Sequence, residues 1–310
     1  MLLPTRSAVG RLLVHIRACS YNASSPTIRV SQLKTLIESS PHLRLLDAAY
    51  SPAPCAGPVG FQEKNLYGKI DDLAKLWANS DYEKEHIPGA VHFNNDVATY
   101  PGEYEKQALY DKEIFQIRGM AGGMLFAARA WWLLKVYGAE KVRVLEGGLD
   151  KWKAEGGEVT DATAIVKPGN FEAKDPGTQF YVTFDEIFIE GTCDGERRNL
   201  LDARPAAQYT GAEPLAFPPN GARGAHLKGA KNIPISSLIA KEEMKGAEEL
   251  NEVFEAAGVS AEKDSITYCN SGQQASLVAL ALAKAGRSCR VFNGSLIEVS
   301  KRQPSLISAK

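Results

Sequence analysis

Ser265-Ile266-Thr267-Tyr268-Cys269-Asn270-Ser271-Gly272-Gln273-Gln274-Ala275 sets one cysteine between a β-rich run and the apolar run Ser276 to Ala285. A small polar loop at such a junction turns its backbone N–H groups inward, with the positive end of a helix dipole behind them. A thiol held there is expected to ionise more readily than a free one, because donors and dipole stabilise its anion. Strand-to-helix switches are also where open α/β sheets bind ligands. Cys269 is therefore the candidate nucleophile, against the plainer reading of a lone buried cysteine.

The elements that must position this loop occur twice. Leu45-Leu46-Asp47-Ala48 recurs as Leu200-Leu201-Asp202-Ala203, and Glu85-His86-Ile87-Pro88-Gly89-Ala90 as Ala225-His226-Leu227-Lys228-Gly229-Ala230. Val142 to Leu149 answers to Cys289 to Leu296, and the three pairs keep their order. Strand and helix patterns alternate in each half, which predicts two α/β domains with mostly parallel sheets and helices on both faces. The expected division is a tail at 1–27, a first domain at 28–156, a Gly/Pro/Thr/Lys-rich linker at 157–178 and a second domain at 179–303. Leu43 to Ala48 and Leu200 to Ala203 are expected strands. Met124 to Tyr137 and Ser276 to Ala285 are expected helices, the second ended by Gly286.

One asymmetry is visible. The second half has a helix, a Gly258 turn and the strand Ser265 to Tyr268 before its loop. In the first half Glu113-Ile114-Phe115-Gln116 runs almost directly into Ile117-Arg118-Gly119-Met120-Ala121-Gly122-Gly123. A strand and part of a helix are missing there. No cysteine lies between Cys55 and Cys193, so the first domain's counterpart loop cannot do thiol chemistry.

Composition bounds the function. The 310 residues, 44% hydrophobic and 24% charged, suit two globular domains with real cores. A net charge of −1 gives no reason to expect nucleic acid or an anionic membrane. Five cysteines without a CxxC pair argue against a disulfide framework or a structural zinc site. No apolar run approaches the ~20 residues that cross a bilayer. Arg6, Arg11, Arg17, Arg29 and Lys34 all precede the first acidic residue, Glu38, so the opening resembles a mitochondrial transit peptide. A mitochondrial or cytoplasmic setting is expected.

Taken together, the paired Leu-Leu-Asp-Ala strands, His86-Ile87-Pro88-Gly89-Ala90, Ala127-Ala128-Arg129-Ala130-Trp131-Trp132, Glu146-Gly147-Gly148-Leu149, the Cys269 loop and Asn293-Gly294-Ser295 resemble the tandem-domain sulfurtransferases of the rhodanese superfamily. Within it the chain is most similar to the 3-mercaptopyruvate sulfurtransferase group. The resemblance covers about residues 28 to 300. It implies that the Cys269 thiolate takes sulfur from a small-molecule donor as a persulfide. A thioredoxin-like or small thiol acceptor then removes it. No metal or dissociable cofactor is implied. The loop after Cys269 carries no cation, which favours a mercaptopyruvate-like donor over dianionic thiosulfate. Ser271 matches the family's loop serine, and Asp96 matches an aspartate that relays a proton with it. The relay's histidine is missing; Tyr100-Pro101-Gly102-Glu103 stands there.

Substrate contacts are expected from Asn270, Gly272, Gln273 and Gln274, the two glutamines replacing the usual Val-Thr. The family grips a keto-acid carboxylate with two arginines, since a planar fork holds it at two points. Here Gln208 and Leu215 occupy those positions, and Arg223 is the candidate substitute. Two other functions remain in view: thiosulfate sulfurtransferase, and a rhodanese-like binding or regulatory module with weakened turnover. A cysteine phosphatase is excluded, because the position six after Cys269, where it needs an arginine, is Ala275.

Overall fold

The computed structural model describes residues 25–49, 58–69, 71–73, 80–115, 123–164, 171–188, 198–215, 217, 226–241 and 243–308. In the first half β1 (Thr27–Ile28) precedes helix α1 (Val30–Ser39), which buries Val30, Leu33 and Leu36. Two short strands follow, β2 (Leu46–Asp47) and β3 (Val91–His92). Helix α2 (Gly123–Val136) leads into β4 (Val144–Leu145) and helix α3 (Gly148–Ala154). The second half contains β5 (Tyr181–Val182), β6 (Asn199–Asp202) and β7 (Lys231–Asn232). Helix α4 (Ala247–Ala256), β8 (Ser265–Tyr268), α5 (Gln273–Lys284), β9 (Cys289–Phe292) and α6 (Ser295–Arg302) follow, with shorter helices and strand pairs among them.

The second half forms one parallel sheet in the order β7-β6-β8-β9-β5. β8 is its centre, and every residue of Ser265–Tyr268 is buried, as a strand covered on both faces must be. In the first half the corresponding strands make two separate pairs, β3 with β2 and β4 with β1. The place between β2 and β4, where β8 sits in the second domain, is a cavity of about 810 Å³. Leu45, Leu46, Val144 and Leu145 line it, together with Trp131 and Leu134 of α2.

Strand geometry explains what faces that cavity. Successive residues of a strand turn their backbone groups to opposite neighbours. The Val144 and Glu146 N–H groups donate to the carbonyls of Pro26 and Ile28, so those of Leu145 point the other way. Val91 and Phe93 donate to the Leu45 and Asp47 carbonyls, which leaves Leu46 turned to the gap. The expected strand Leu43 to Ala48 shortens to two residues, Leu46–Asp47, and among the described residues no strand pairs with its inner edge, where half its ladder would form.

Helices α2 and α5 run along each other and join the halves. Both are apolar on most faces, the pattern of a helix buried all round. Trp132 and Leu133 share one core with Leu277, Val278 and Leu280. Lys284 of α5 pairs with Glu146 at 2.5 Å, and the Trp132 indole N–H donates to the Phe180 carbonyl at 2.8 Å. The described part of the linker lies on the first domain. Thr160 bridges His86, Trp152 donates to the Glu158 carbonyl, and the Lys174 and Gly177 N–H groups bond the Tyr137 and Val136 carbonyls. Gly286, at φ +76, ends α5, and the next N–H, of Arg287, returns to the Leu282 carbonyl at 2.9 Å. Helix α5 begins at Gln273 rather than Ser276, so both glutamines stand on its first turn.

Candidate active site

Cys269 stands at the carboxy-terminal end of β8. Its Sγ accepts the Gly272 N–H at 3.1 Å, at the head of α5. The Cys269 N–H donates to Ser295 Oγ at 3.1 Å, and that hydroxyl donates to the Phe292 carbonyl at 2.8 Å. The Cys269 and Asn270 carbonyls accept the N–H groups of Leu296 and Ile297, so α6 clamps the loop from below. Gly272 has φ +87, and a Cβ there would meet the Asn293 carbonyl at 2.8 Å. Only glycine fits both demands. Cys269 itself is 1% exposed and shares one core with Ala275 and Leu277, its sulfur accepting the Gly272 amide.

The structure brings several expected residues together. The Asn270 Nδ2 group donates to Gln208 Oε1 at 3.1 Å, which ties Gln208 to the loop. Ser271, Gln273 and Gln274 are half-buried beside it. Asp96 is buried, and its Oδ1 accepts from Gln107 Nε2 at 2.9 Å. Arg223 lies outside the described residues. Leu215 is buried in the second domain's core with Leu227, Phe292 and Leu296, so an arginine at that position would not reach substrate without unpacking the core.

One functional group escaped sequence reasoning. Arg129 of α2 is fully buried and stands over the Trp132 ring, its guanidinium carbon 4.4 Å from the ring centroid. Its Nη2 donates to the Gln107 carbonyl at a long 3.4 Å, while Nε and Nη1 have no hydrogen-bond partner. Nη1 would lie 3.1 Å from a Cβ on Gly272, so the guanidinium forms a wall of the Cys269 loop. Burial pulls Arg129 down to about 10, opposed by the charges of Cys269, Glu105, Tyr137 and Asp96. It is a cation at neutral pH. Asn293 Nδ2 donates to Glu105 Oε1 and to the Gln107 carbonyl, both at 2.8 Å, joining first-domain residues to the turn before α6. Burial pushes the Glu105 carboxyl up, with the Asn293 bond and Arg129 opposing. The motif containing Arg129 was legible; its place at the Gly272 turn was not.

Residues read as structural do structural work. His86 and His226 each stack on a tyrosine, at 4.0 and 3.9 Å between ring centroids. Each also bonds a backbone carbonyl through Nδ1. Asp47 accepts the Ala49 N–H, and Asp202 accepts the Arg204 N–H and pairs bidentately with its buried guanidinium. The Cys289 thiol is pushed up to about 12 by burial, which makes it inert. Among the described residues no cluster of three or more His, Cys, Asp or Glu could hold a metal, and no helix is long and apolar enough to cross a membrane.

A rhodanese-like domain family model matches residues 68–155 and 189–301. The Caenorhabditis elegans protein mpst-1, whose name places it with the thiosulfate sulfurtransferases, is 32% identical over 308 residues, covering 89% of this chain and 93% of that protein. Escherichia coli 3-mercaptopyruvate sulfurtransferase is 32% identical over 218 residues, covering 66% of this chain and 75% of that one. The crystal structure of Escherichia coli SseA superposes with a TM-score of 0.66 at 25% identity, over 87% of this chain and 98% of its own. With the repeated sheets and the loop at the end of β8, these matches establish that the chain belongs to the rhodanese-like family and carries two such domains.

Proposed function

We propose that the protein is a sulfurtransferase that moves sulfane sulfur from a thiol-bearing donor, of the 3-mercaptopyruvate kind, to an acceptor thiol through a Cys269 persulfide. The observation that carries this reading is the Cys269 sulfur accepting the Gly272 N–H at the head of α5. Sulfurtransferase activity is also what the names of relatives of both donor types support.

The Cys269 thiolate attacks the donor's sulfur. An S–S bond forms and the donor's C–S bond breaks, its electron pair passing to carbon as the enolate of the keto acid. The donor's thiol proton moves to that carbon, leaving the keto acid and a persulfide anion on Cys269. An acceptor thiol then attacks the outer sulfur, takes it as its own persulfide and releases the Cys269 thiolate. The sulfur is carried covalently, so no dissociable cofactor enters. Ser271 supplies the loop's hydroxyl for the proton transfer. Asp96, whose Oδ1 accepts from Gln107, keeps its second carboxylate oxygen for a proton relay with it.

Arg129 favours a second reading, since it gives the site a cation that thiosulfate would use. Sulfide release with 3-mercaptopyruvate and a reduced thiol, beside thiocyanate formation from thiosulfate and cyanide, separates the two donors. Wild type no more active than Cys269→Ser with either donor would leave a binding module instead.

A further inference from the structure

We propose that Arg129, supplied by the first domain, is the anion-holding group of this site: it stabilises the Cys269 thiolate and the outer sulfur of its persulfide. The proposal rests on the persulfide reading and adds a residue on a different domain to it.

A buried guanidinium with unpartnered nitrogens is costly, so a fold that retains one must recover that cost from a bound anion or from close pairing. Pairing is incomplete here. Glu105 is bonded to Asn293 and Asp96 to Gln107, and neither carboxylate hydrogen-bonds Arg129. Nε and Nη1 remain open on a side chain that is 0% exposed and walls the Gly272 turn. That turn already donates to Cys269 Sγ. A persulfide carries its charge about 2.05 Å beyond Sγ, so its anion extends past the Gly272 amide and needs a donor further out. The loop from Asn270 to Gln274 holds no cation. The guanidinium is fixed by the packing of α2 against α5, with the Trp132 ring beneath it. Such a preorganised charge acts without reorganising during the reaction. The plainer account, a core arginine that merely stacks on Trp132, predicts no effect on sulfur chemistry.

Arg129→Gln and Arg129→Lys separate the accounts, with thermal unfolding reporting whether each folds. Two rates are measured across pH: iodoacetamide alkylation of Cys269 and persulfide formation from each donor. In Arg129→Gln the alkylation profile should move to higher pH, and persulfide formation should fall roughly a hundredfold, as for loss of one oxyanion donor. Arg129→Lys, which keeps the charge and loses the fork, should retain the alkylation profile and recover part of the rate. Folded variants with the wild-type profile and rates would overturn the proposal while leaving the persulfide reading intact. A wild type that forms no persulfide would remove that reading, yet alkylation still judges the effect of Arg129 on the thiolate. Should both variants unfold, nitrogen-15 spectra of the wild-type guanidinium decide. Its Nε and Nη resonances should shift when Cys269 is persulfidated or alkylated; unchanged resonances would contradict the proposal.

Discussion

The second domain holds β8 between β6 and β9, whereas the first leaves the matching place as a cavity between β2 and β4. The consequence is both mechanical and chemical. A central parallel strand delivers its carboxy-terminal end, and the loop that follows, to the head of a helix. Cys269, Gly272 and α5 depend on that delivery. The first domain keeps the helix that would follow such a loop, α2, and sets its Arg129 against the Gly272 turn of the other domain. In the mechanism proposed, one half supplies the nucleophile and the other a cation.

The comparison can be broken first at its best-defined turn. Gly272→Ala places a side chain in the left-handed region and against the Asn293 carbonyl, at a cost of about 1–3 kcal/mol. Sulfur transfer should drop at least tenfold, while the matching change at Gly286, beyond the site, lowers the melting temperature alone. Equal activity loss in both would show that the Gly272 turn has no special role.

A second, smaller contrast concerns the sheets. Amides of Leu46 and Leu145 border the cavity, and those of Leu201 and Phe292 lie in the complete sheet. Hydrogen exchange should be roughly tenfold or more faster at the first pair, because local opening there costs less. Equal protection would mean that the first domain is as tightly closed as the second.

Carboxylate anchoring gives a third test. Gln208→Arg should lower KM for 3-mercaptopyruvate by about tenfold, the value of one charge-assisted hydrogen bond. An unchanged KM would show that the existing groups already bind that carboxylate. Adding Leu215→Arg should destabilise the protein instead, since Leu215 is buried in the core.

The smallest effect is in the pH dependence of stability. Burial holds the Glu105 carboxyl above its ordinary range, so the native state binds that proton more tightly than the unfolded chain does. Its contribution is full below the ordinary carboxylate value and is lost as pH rises through the raised one. Glu105→Gln should flatten that decline in melting temperature. An unaltered slope would place the titration elsewhere.

What could be read from the sequence was local or repeated. The Cys269 loop, Gly286 as a helix end and the doubled Leu-Leu-Asp-Ala strands each carry their cause within a few residues. The asymmetry between the halves was legible because the two copies could be compared. Residues 116–122, where it falls, lie outside the described residues, and among those described β2 and β4 do not pair with a strand between them. Tertiary partners were not. Arg129 reaches the Gly272 turn only because α2 packs on α5, and no periodicity in either helix says so. Leu215 looked like a substrate position by alignment to a motif, whereas the core around Leu227 and Phe292 claims it. The start of α5 moved to Gln273 because the Gly272 turn, not the apolar run, sets the first helical residue.

The most direct test is the mass of the peptide containing Cys269 after brief exposure of the protein to 3-mercaptopyruvate, and separately to thiosulfate, without acceptor. The account predicts a gain of one sulfur atom on Cys269, removed by an added thiol and absent from Cys289. A Cys269 peptide unchanged by both donors, under conditions where free thiols are alkylated, would contradict it.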